Sequence, residues 1–137
     1  MVVTTRLPTA ILGGGYLMVG VLGLNAPGNT LLGVFTADLS HSWLHLALGA
    51  ILLVGGTAGG RCGTGAQLLA GALAGVAGTL GLALTSSGPF LATTADNILH
   101  LSTAMVLLVL GLSTAVSTPP AKPGRYGPLS VATYCGR

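Results

Sequence analysis

The chain has 137 residues, of which only 5% are charged and 51% are hydrophobic, and its mean hydropathy is +0.85. A soluble globular domain carries roughly a quarter charged residues, so this composition excludes one and predicts that lipid is the main solvent. The net charge is +3, but four of the five basic residues lie near the termini. We therefore interpret them as topology signals and not as a nucleic-acid-binding patch.

Long uncharged stretches separate the charged residues and predict four membrane-spanning helices of about 20 residues each. The predicted spans cover residues 8–24, 40–57, 65–85 and 94–117. Residues 1–118 would form one all-α, four-helix transmembrane domain, and residues 119–137, rich in Pro and Gly, a flexible cytoplasmic tail. An alternative for the first span is a cleaved signal peptide with Arg6 as its basic segment. We favour a retained span, because its removal disturbs the charge pattern.

The positions of the charges predict the orientation of the helices. Arg6, Arg61 and the basic residues of the tail fall on one side of a four-span protein, whereas Asp38 and Asp96 fall on the other. Short cytoplasmic loops collect Lys and Arg, so both termini are expected in the cytoplasm, with the protein in the plasma membrane. Cys62 and Cys135 would lie on the same side, and we expect both to be reduced thiols.

Glycine accounts for 23 residues, many of them inside the predicted spans. In the third span, Gly71 with Gly75 and Ala74 with Gly78 form two pairs of small residues at a spacing of four, which permits close helix packing. The pairs are compatible with general glycine tolerance in membrane helices. They are equally compatible with a self-association face, as in a homo-oligomer or a larger membrane complex.

One internal repeat stands out: residues 41–54 align without gaps to residues 96–109, with identity at six of the fourteen positions. His45 falls on His100. Because the offset between the copies covers two helices, the second and fourth spans run in the same direction, and the chain is predicted to consist of two parallel helical hairpins. Both histidines would then lie about 8 Å inside the outer membrane boundary, at 1.5 Å per residue.

A polar cluster is predicted where the two repeat copies meet. Residues four apart share a helix face, so His41 should lie above His45 and Asp96 above His100. Three imidazoles and one carboxylate would suit a divalent metal such as zinc, whereas His45 and His100 alone suit a haem b iron between them. We favour a packing role without a cofactor, in which these side chains hydrogen-bond between helices. Asn97, and less effectively its shorter counterpart Ser42, would support this network.

Features that catalysis requires are missing from the sequence. No Asp, Glu, Lys or Arg lies deep within a span, and no glycine-rich phosphate loop follows a strand. Ser102, Ser113 and Thr79 have no paired base of the kind that a nucleophile needs. We therefore expect a membrane protein without enzymatic activity, in a structural or accessory-subunit role. A metal- or haem-binding protein is the alternative. A small transporter is a second alternative, weakened by the lack of charges at depth.

Two motifs resemble those of a bacterial family, the four-helix membrane proteins of unknown function grouped as DUF4383, common in actinobacteria. The segment at residues 41–49, HSWLHLALG, is similar to the family's HNxxHLxxG pattern, and residues 95–101, ADNILHL, to its ADNxxHL pattern. Gly33-Val-Phe precedes the first motif. Ser42 departs from the family pattern, which has Asn there. The resemblance covers the four spans without the tail and implies a membrane architecture, but no activity.

Overall fold

A computed structural model of the protein describes residues 6–26, 30–84, 92–117 and Cys135. These residues contain four long helices, namely α1 (Arg6–Leu24), α2 (Leu39–Ala58), α3 (Gly60–Ala83) and α4 (Thr94–Ser117). Each is long and apolar enough to cross a membrane, and the prediction of an all-α four-helix bundle is confirmed. The tail expected at 119–137 lies outside the described residues, except for Cys135.

The connection between α2 and α3 is shorter than the sequence suggested. The third helix begins at Gly60 and not near residue 65, because Gly59 and Gly60 reverse the chain without a longer loop. Gly59 and Gly60 have φ angles of 67° and 51°, a left-handed conformation that glycine adopts without steric cost. The Gly59 amide donates to the Gly55 carbonyl at 2.9 Å and ends α2. Arg61 therefore lies in the first turn of α3 and not in a loop.

A short antiparallel hairpin that the sequence analysis did not predict precedes α2. It consists of β1 (Thr30–Leu31) and β2 (Phe35–Thr36), with Thr30 paired to Thr36 and Leu31 to Phe35. Its turn contains Leu32 and Gly33, with φ angles of 56° and 68°. The hairpin matters for the site because it presents the backbone of Thr36 to the start of α4.

Glycines bring α1 and α2 into backbone contact. A Cβ added to Gly49 would lie 2.6 Å from the backbone nitrogen of Leu17, and one added to Gly56 would lie 2.7 Å from that of Ala10. Both distances are too short for a side chain, so α1 and α2 pack at the closest separation that glycine permits.

The small residues predicted to pack in the third span do so against α4 of the same chain. A Cβ on Gly71 would lie 3.1 Å from the Cβ of Leu107, and one on Gly78 would lie 2.8 Å from the side chain of Leu101. Ala74 is fully buried, and a Cβ on Gly75 would lie 3.5 Å from the Cβ of Ala104. These four positions therefore serve packing within the chain.

The repeat extends to all four helices. In the helical hairpin of α1 and α2, Gly20 packs on Leu46 and Gly23 packs on Ser42. In the helical hairpin of α3 and α4, Gly78 packs on Leu101 and Gly81 packs on Asn97 at the equivalent positions. His45 and His100 are each the seventh residue of their helix. The two hairpins are thus parallel repeats, as the sequence predicts.

The two cysteines are joined in a disulfide, so the expectation of reduced thiols was wrong. Cys62, in the first turn of α3, is bonded to Cys135, with 4.9 Å between the Cα atoms. Their separation of 73 residues concealed this proximity. Cys135 therefore lies at the end of the bundle where α3 begins. That end also carries Arg6, whose guanidinium lies against Gly59.

Candidate functional site

Three histidine rings meet at the end of the bundle where α2 and α4 begin. The ring centroids of His45 and His100 are 5.4 Å apart with nearly parallel planes, and His41 lies 6.5 Å from His45 and 6.3 Å from His100. All three are buried. Tyr16 of α1 closes one side, with its ring 5.5 Å from that of His45. The structure thus brings together the three imidazoles that the repeat predicts to converge.

The carboxylate of Asp96 does not join the histidines, in contrast to the predicted four-ligand cluster. It accepts hydrogen bonds from the backbone amide of Thr36 at 3.0 Å and from the amide and hydroxyl of Thr93 at 2.8 Å each. Asp96 is fully buried. Its oxygens therefore link the start of α4 to the β-hairpin that precedes α2, a role assigned by tertiary contacts that the helical spacing alone did not reveal.

Reciprocal capping explains how Asp96 is held. The Thr93 hydroxyl accepts from the Asp96 amide at 3.2 Å, while the Asp96 carboxylate accepts from the Thr93 amide, which is the arrangement of a capping box. The Thr93 hydroxyl also contacts the carbonyl of Val34 at 2.9 Å. Thr93 was not among the candidates from sequence, although its spacing of three residues from Asp96 was a usable signal.

Asp38 organises the start of α2, a role that the sequence analysis also missed. Its carboxylate caps the helix by accepting from the His41 amide at 2.8 Å. The other carboxylate oxygen lies 3.3 Å from Nδ1 of His41. Because the carboxylate accepts, His41 donates from Nδ1, and this contact fixes the orientation of its ring.

The hydrogen bonds of His100 define its tautomer. Its Nδ1 lies 2.9 Å from the carbonyl oxygen of Asp96, and a carbonyl only accepts, so Nδ1 carries the proton. The neutral ring then presents Nε2 as an acceptor. This atom is buried without a hydrogen-bond partner among the described residues, as is Nε2 of His45.

Ser42 and Asn97 occupy equivalent positions in the two repeats. Each packs against a glycine of the preceding helix, Ser42 on Gly23 and Asn97 on Gly81. The Ser42 hydroxyl and the Asn97 amide oxygen have no hydrogen-bond partner in the part of the chain that the structure describes. Within that part, both side chains pack against the preceding helix of their own helical hairpin, and the extended polar network expected from sequence is not seen.

The geometry of the histidines bears on both predicted cofactors, a haem and a metal ion. Two imidazoles that bind one iron from opposite sides need about 6 Å between ring centroids, given a metal–nitrogen bond of about 2 Å. The 5.4 Å between His45 and His100 is shorter, and the rings leave no gap for a flat macrocycle. A haem therefore does not fit here. Among the described residues, no three His, Cys, Asp or Glu side chains are arranged to hold a metal ion.

A cavity of about 200 Å³ lies beside the histidines, between α2, α3 and α4. His41 and His100 contribute its polar edge, and the remaining lining is apolar, with Leu44, Leu73 and Leu80 among the larger side chains. The predicted histidine cluster thus borders a cavity that was not predicted from the sequence.

A second polar contact lies near the opposite end of the bundle. Nε2 of Gln67 in α3 donates to the Thr9 hydroxyl of α1 at 2.6 Å, and both residues are fully buried. The Thr114 hydroxyl of α4 lies 3.5 Å from Oε1 of Gln67. The sequence analysis did not single out Gln67, although it is an amide side chain inside a predicted span.

These features define a polytopic membrane protein whose four helices can each cross a bilayer, with its polar side chains gathered toward the two ends of the bundle. No family model, no curated protein and no solved structure matches the chain.

Proposed function

We propose that this is a membrane protein without enzymatic activity, in a structural or accessory-subunit role, whose polar cluster fastens the two helical hairpins together. The observation that carries the proposal is the set of hydrogen bonds to Asp96, which joins the start of α4 to the β-hairpin before α2. The contact between the His45 and His100 rings joins the same two repeats at the next turn.

The energetics support a fastening role. Hydrogen bonds to charged groups contribute about 1.5–3 kcal/mol each, and the Asp96 carboxylate accepts several while fully buried. A carboxylate with its lone pairs occupied by the protein is a poor candidate for binding a further ion. Because Asp96 bonds to both Thr36 and Thr93, its position suits a role in holding the two helical hairpins together.

Optical and elemental analysis of the purified full chain in detergent tests this proposal. We expect a folded protein with no Soret absorption and no stoichiometric transition metal. A cofactor present at one equivalent, and lost in a His100→Ala variant that keeps its helical circular dichroism and melting temperature, would overturn the proposal.

One observation favours metal binding as a second candidate function. Nε2 of His45 and Nε2 of His100 are both buried without a partner among the described residues, and imidazole nitrogen is a good zinc or copper ligand. Titration with Co²⁺, followed by its visible absorption, tests this candidate. Saturable binding that a His45→Ala, His100→Ala double variant abolishes would support it. No spectral change up to millimolar Co²⁺ would eliminate it.

The orientation of the protein is also a proposal: both termini in the cytoplasm of a plasma-membrane protein. It rests on Arg6, Arg61 and the basic tail. The Cys62–Cys135 disulfide favours the opposite orientation, because disulfides persist mainly outside the cytosol. Reporter fusions at the C-terminus decide between them. Fluorescence from a green fluorescent protein fusion supports a cytoplasmic terminus, and activity of an alkaline phosphatase fusion contradicts it.

Three further interpretations remain predictions. Membership of the DUF4383 family rests on the two motifs around His45 and His100. A homo-oligomer or larger membrane complex rests on the abundance of small residues, and cross-linking in membranes that returns only monomer would count against it. A small transporter is the remaining alternative, to be tested by solute uptake into proteoliposomes.

A further inference from the structure

We propose that one anionic phospholipid binds at the end of the bundle where α3 begins, with its phosphate group at Arg6 and Arg61 and an acyl chain in an apolar groove between α2 and α3. This goes beyond the fastening of the two helical hairpins, because it concerns the opposite end of the bundle and a ligand from the bilayer. Two independent observations carry it: two arginines without an ion-pair partner among the described residues, and a groove that begins beside them.

The two arginines concentrate positive charge at this end of the bundle. Arg6 begins α1 and Arg61 lies in the first turn of α3, and both are exposed. The guanidinium of Arg6 lies against Gly59, which is only two residues before Arg61. The acidic side chains of the chain, Asp38 and Asp96, lie at the other end, where α2 and α4 begin. The described part of the chain therefore supplies no counter-charge to this pair of arginines.

The position and chemistry of the arginines select an anionic lipid headgroup. A guanidinium presents its N–H donors in a planar fork that matches the oxygens of a phosphate group. The ends of membrane-spanning helices lie at the level of the lipid headgroups, where such a group is present. A zwitterionic headgroup also carries a phosphate, but its own ammonium group neutralises that charge. The arginines therefore favour a headgroup with a net negative charge.

An apolar groove of about 540 Å³ between α2 and α3 begins directly beside the arginines. Ala58 and Cys62 line the end of the groove nearest the turn, and they flank the segment from Gly59 to Arg61. From there the groove extends along α2 as far as Ala50, a distance of about 12 Å at 1.5 Å per residue. It therefore runs from the headgroup level toward the middle of the membrane, as the acyl chain of a lipid does.

The lining of the groove fits an acyl chain. Its buried members Gly55 and Ala66 are small, whereas Val54 and Leu69, which also line it, have 68% and 52% of their surface exposed. Exposed valine and leucine on a spanning helix face acyl chains. One phospholipid with its phosphate at the arginines thus has a place for a chain directly below its headgroup.

Native mass spectrometry of the full-length protein in detergent tests the headgroup contact. The protein is offered palmitoyl-oleoyl phosphatidylglycerol and phosphatidylcholine, which share their acyl chains and differ in net charge. We expect one phosphatidylglycerol to bind about thirtyfold more tightly than phosphatidylcholine. Arg6→Gln and Arg61→Gln should each lower this preference about fivefold, which corresponds to the contribution of about 1 kcal/mol from a basic residue near an anionic membrane surface.

A charge-matched variant separates this site from an effect of net charge. Lys122→Gln removes one positive charge outside the proposed site and should lower the preference less than either arginine variant. An equal loss in Lys122→Gln would overturn the proposal, because net charge alone would then explain the preference. So would a preference that persists undiminished in the Arg6→Gln, Arg61→Gln double variant, or a wild type that does not discriminate between the two lipids.

Variants of the groove test the acyl-chain contact. Ala50→Leu and Ala58→Leu each fill the groove, whereas Ala47→Leu adds the same group at an exposed position on α2 outside it. We expect the filling variants to bind both lipids about fourfold more weakly than Ala47→Leu does, the factor for one lost methylene contact. The preference between headgroups should persist in them.

The remaining outcomes identify other occupants of the groove, and each would overturn the proposal. Undiminished binding in a filling variant that melts like the wild type would place the acyl chain elsewhere, and if one filling variant does not fold, the other decides. A wild-type dimer without lipid would show that a second copy of the chain covers the groove. A wild-type monomer without lipid would leave the groove to the C-terminal segment of the chain itself.

Discussion

His45 and His100 occupy the same position in two repeated helices, and their rings lie in contact, with 5.4 Å between centroids. Although the sequence repeat makes the two histidines equivalent, the residues four positions earlier differ, His41 before His45 and Asp96 before His100. The two copies therefore meet at a site that is symmetric in its rings and asymmetric in what surrounds them.

The first prediction concerns this asymmetry. His100 should be a neutral imidazole with the proton on Nδ1, because Nδ1 donates to the Asp96 carbonyl and a second proton on the buried Nε2 would have no acceptor among the described residues. Ring ¹⁵N shifts of the histidine-labelled protein report the tautomer directly, with Nε2 in the range of an unprotonated nitrogen. A proton found on Nε2 instead would contradict the hydrogen bond on which the assignment depends.

Asp96→Asn should destabilise the protein by about 1.5–3 kcal/mol. A single amide oxygen cannot replace a carboxylate that accepts from Thr36 and Thr93 together. The measurement is the free energy of unfolding in detergent, followed by the fluorescence of Trp43. Asp38→Asn is the comparison variant, and it should cost less than Asp96→Asn, since asparagine caps a helix about as well as aspartate and only the 3.3 Å contact with Nδ1 of His41 is lost. Equal effects of the two variants would argue against the fastening role of Asp96.

Gly49→Ala should destabilise the α1–α2 contact by about 1–3 kcal/mol, the usual cost of overpacking. The added methyl group would lie 2.6 Å from the Leu17 nitrogen and 2.9 Å from the Gly13 carbonyl, and backbone atoms cannot move aside individually. Gly14→Ala, where a Cβ meets nothing within 4 Å, is the control and should leave the melting temperature unchanged or slightly raised. If both variants melt alike, the helices are less closely packed than described.

The Gln67–Thr9 hydrogen bond should show a measurable coupling energy. A double-mutant cycle with Thr9→Val and Gln67→Leu isolates this pair, whose atoms are 2.6 Å apart and fully buried. Interhelical hydrogen bonds in a membrane protein average about 0.6 kcal/mol and reach about 1.7 kcal/mol, and we expect a value in that range. Strict additivity of the two substitutions would mean that the contact contributes nothing beyond packing.

The disulfide should be present in protein isolated from membranes without reductant. Because the chain has two cysteines and they are bonded to each other, denatured protein should take up no N-ethylmaleimide before reduction and two equivalents afterwards. Peptide mapping should recover Cys62 and Cys135 in one cross-linked fragment. Two equivalents taken up before reduction would restore the expectation of free thiols drawn from the sequence.

The spans were predictable because helix formation in lipid depends on local properties. An apolar stretch of sufficient length must satisfy its own backbone hydrogen bonds, and the helix is the structure that does so within one segment. The boundary at Gly60 was misplaced because two consecutive glycines with positive φ sufficed for the turn, where the composition indicated a longer loop. The small hairpin at Thr30–Thr36 is too short to leave a periodic pattern.

By itself, the sequence determined the four spans, their repetition and the placement of His45 and His100 at one depth, because hydropathy and residue spacing act along the chain. Only the tertiary structure decided the partners of Asp96, the Cys62–Cys135 bond, the Gln67–Thr9 contact and the cavity beside His100. Each of these joins segments that are distant in sequence. Their geometry depends on how closely the glycine-lined helices approach and on where the chain turns, and neither can be read from a single segment.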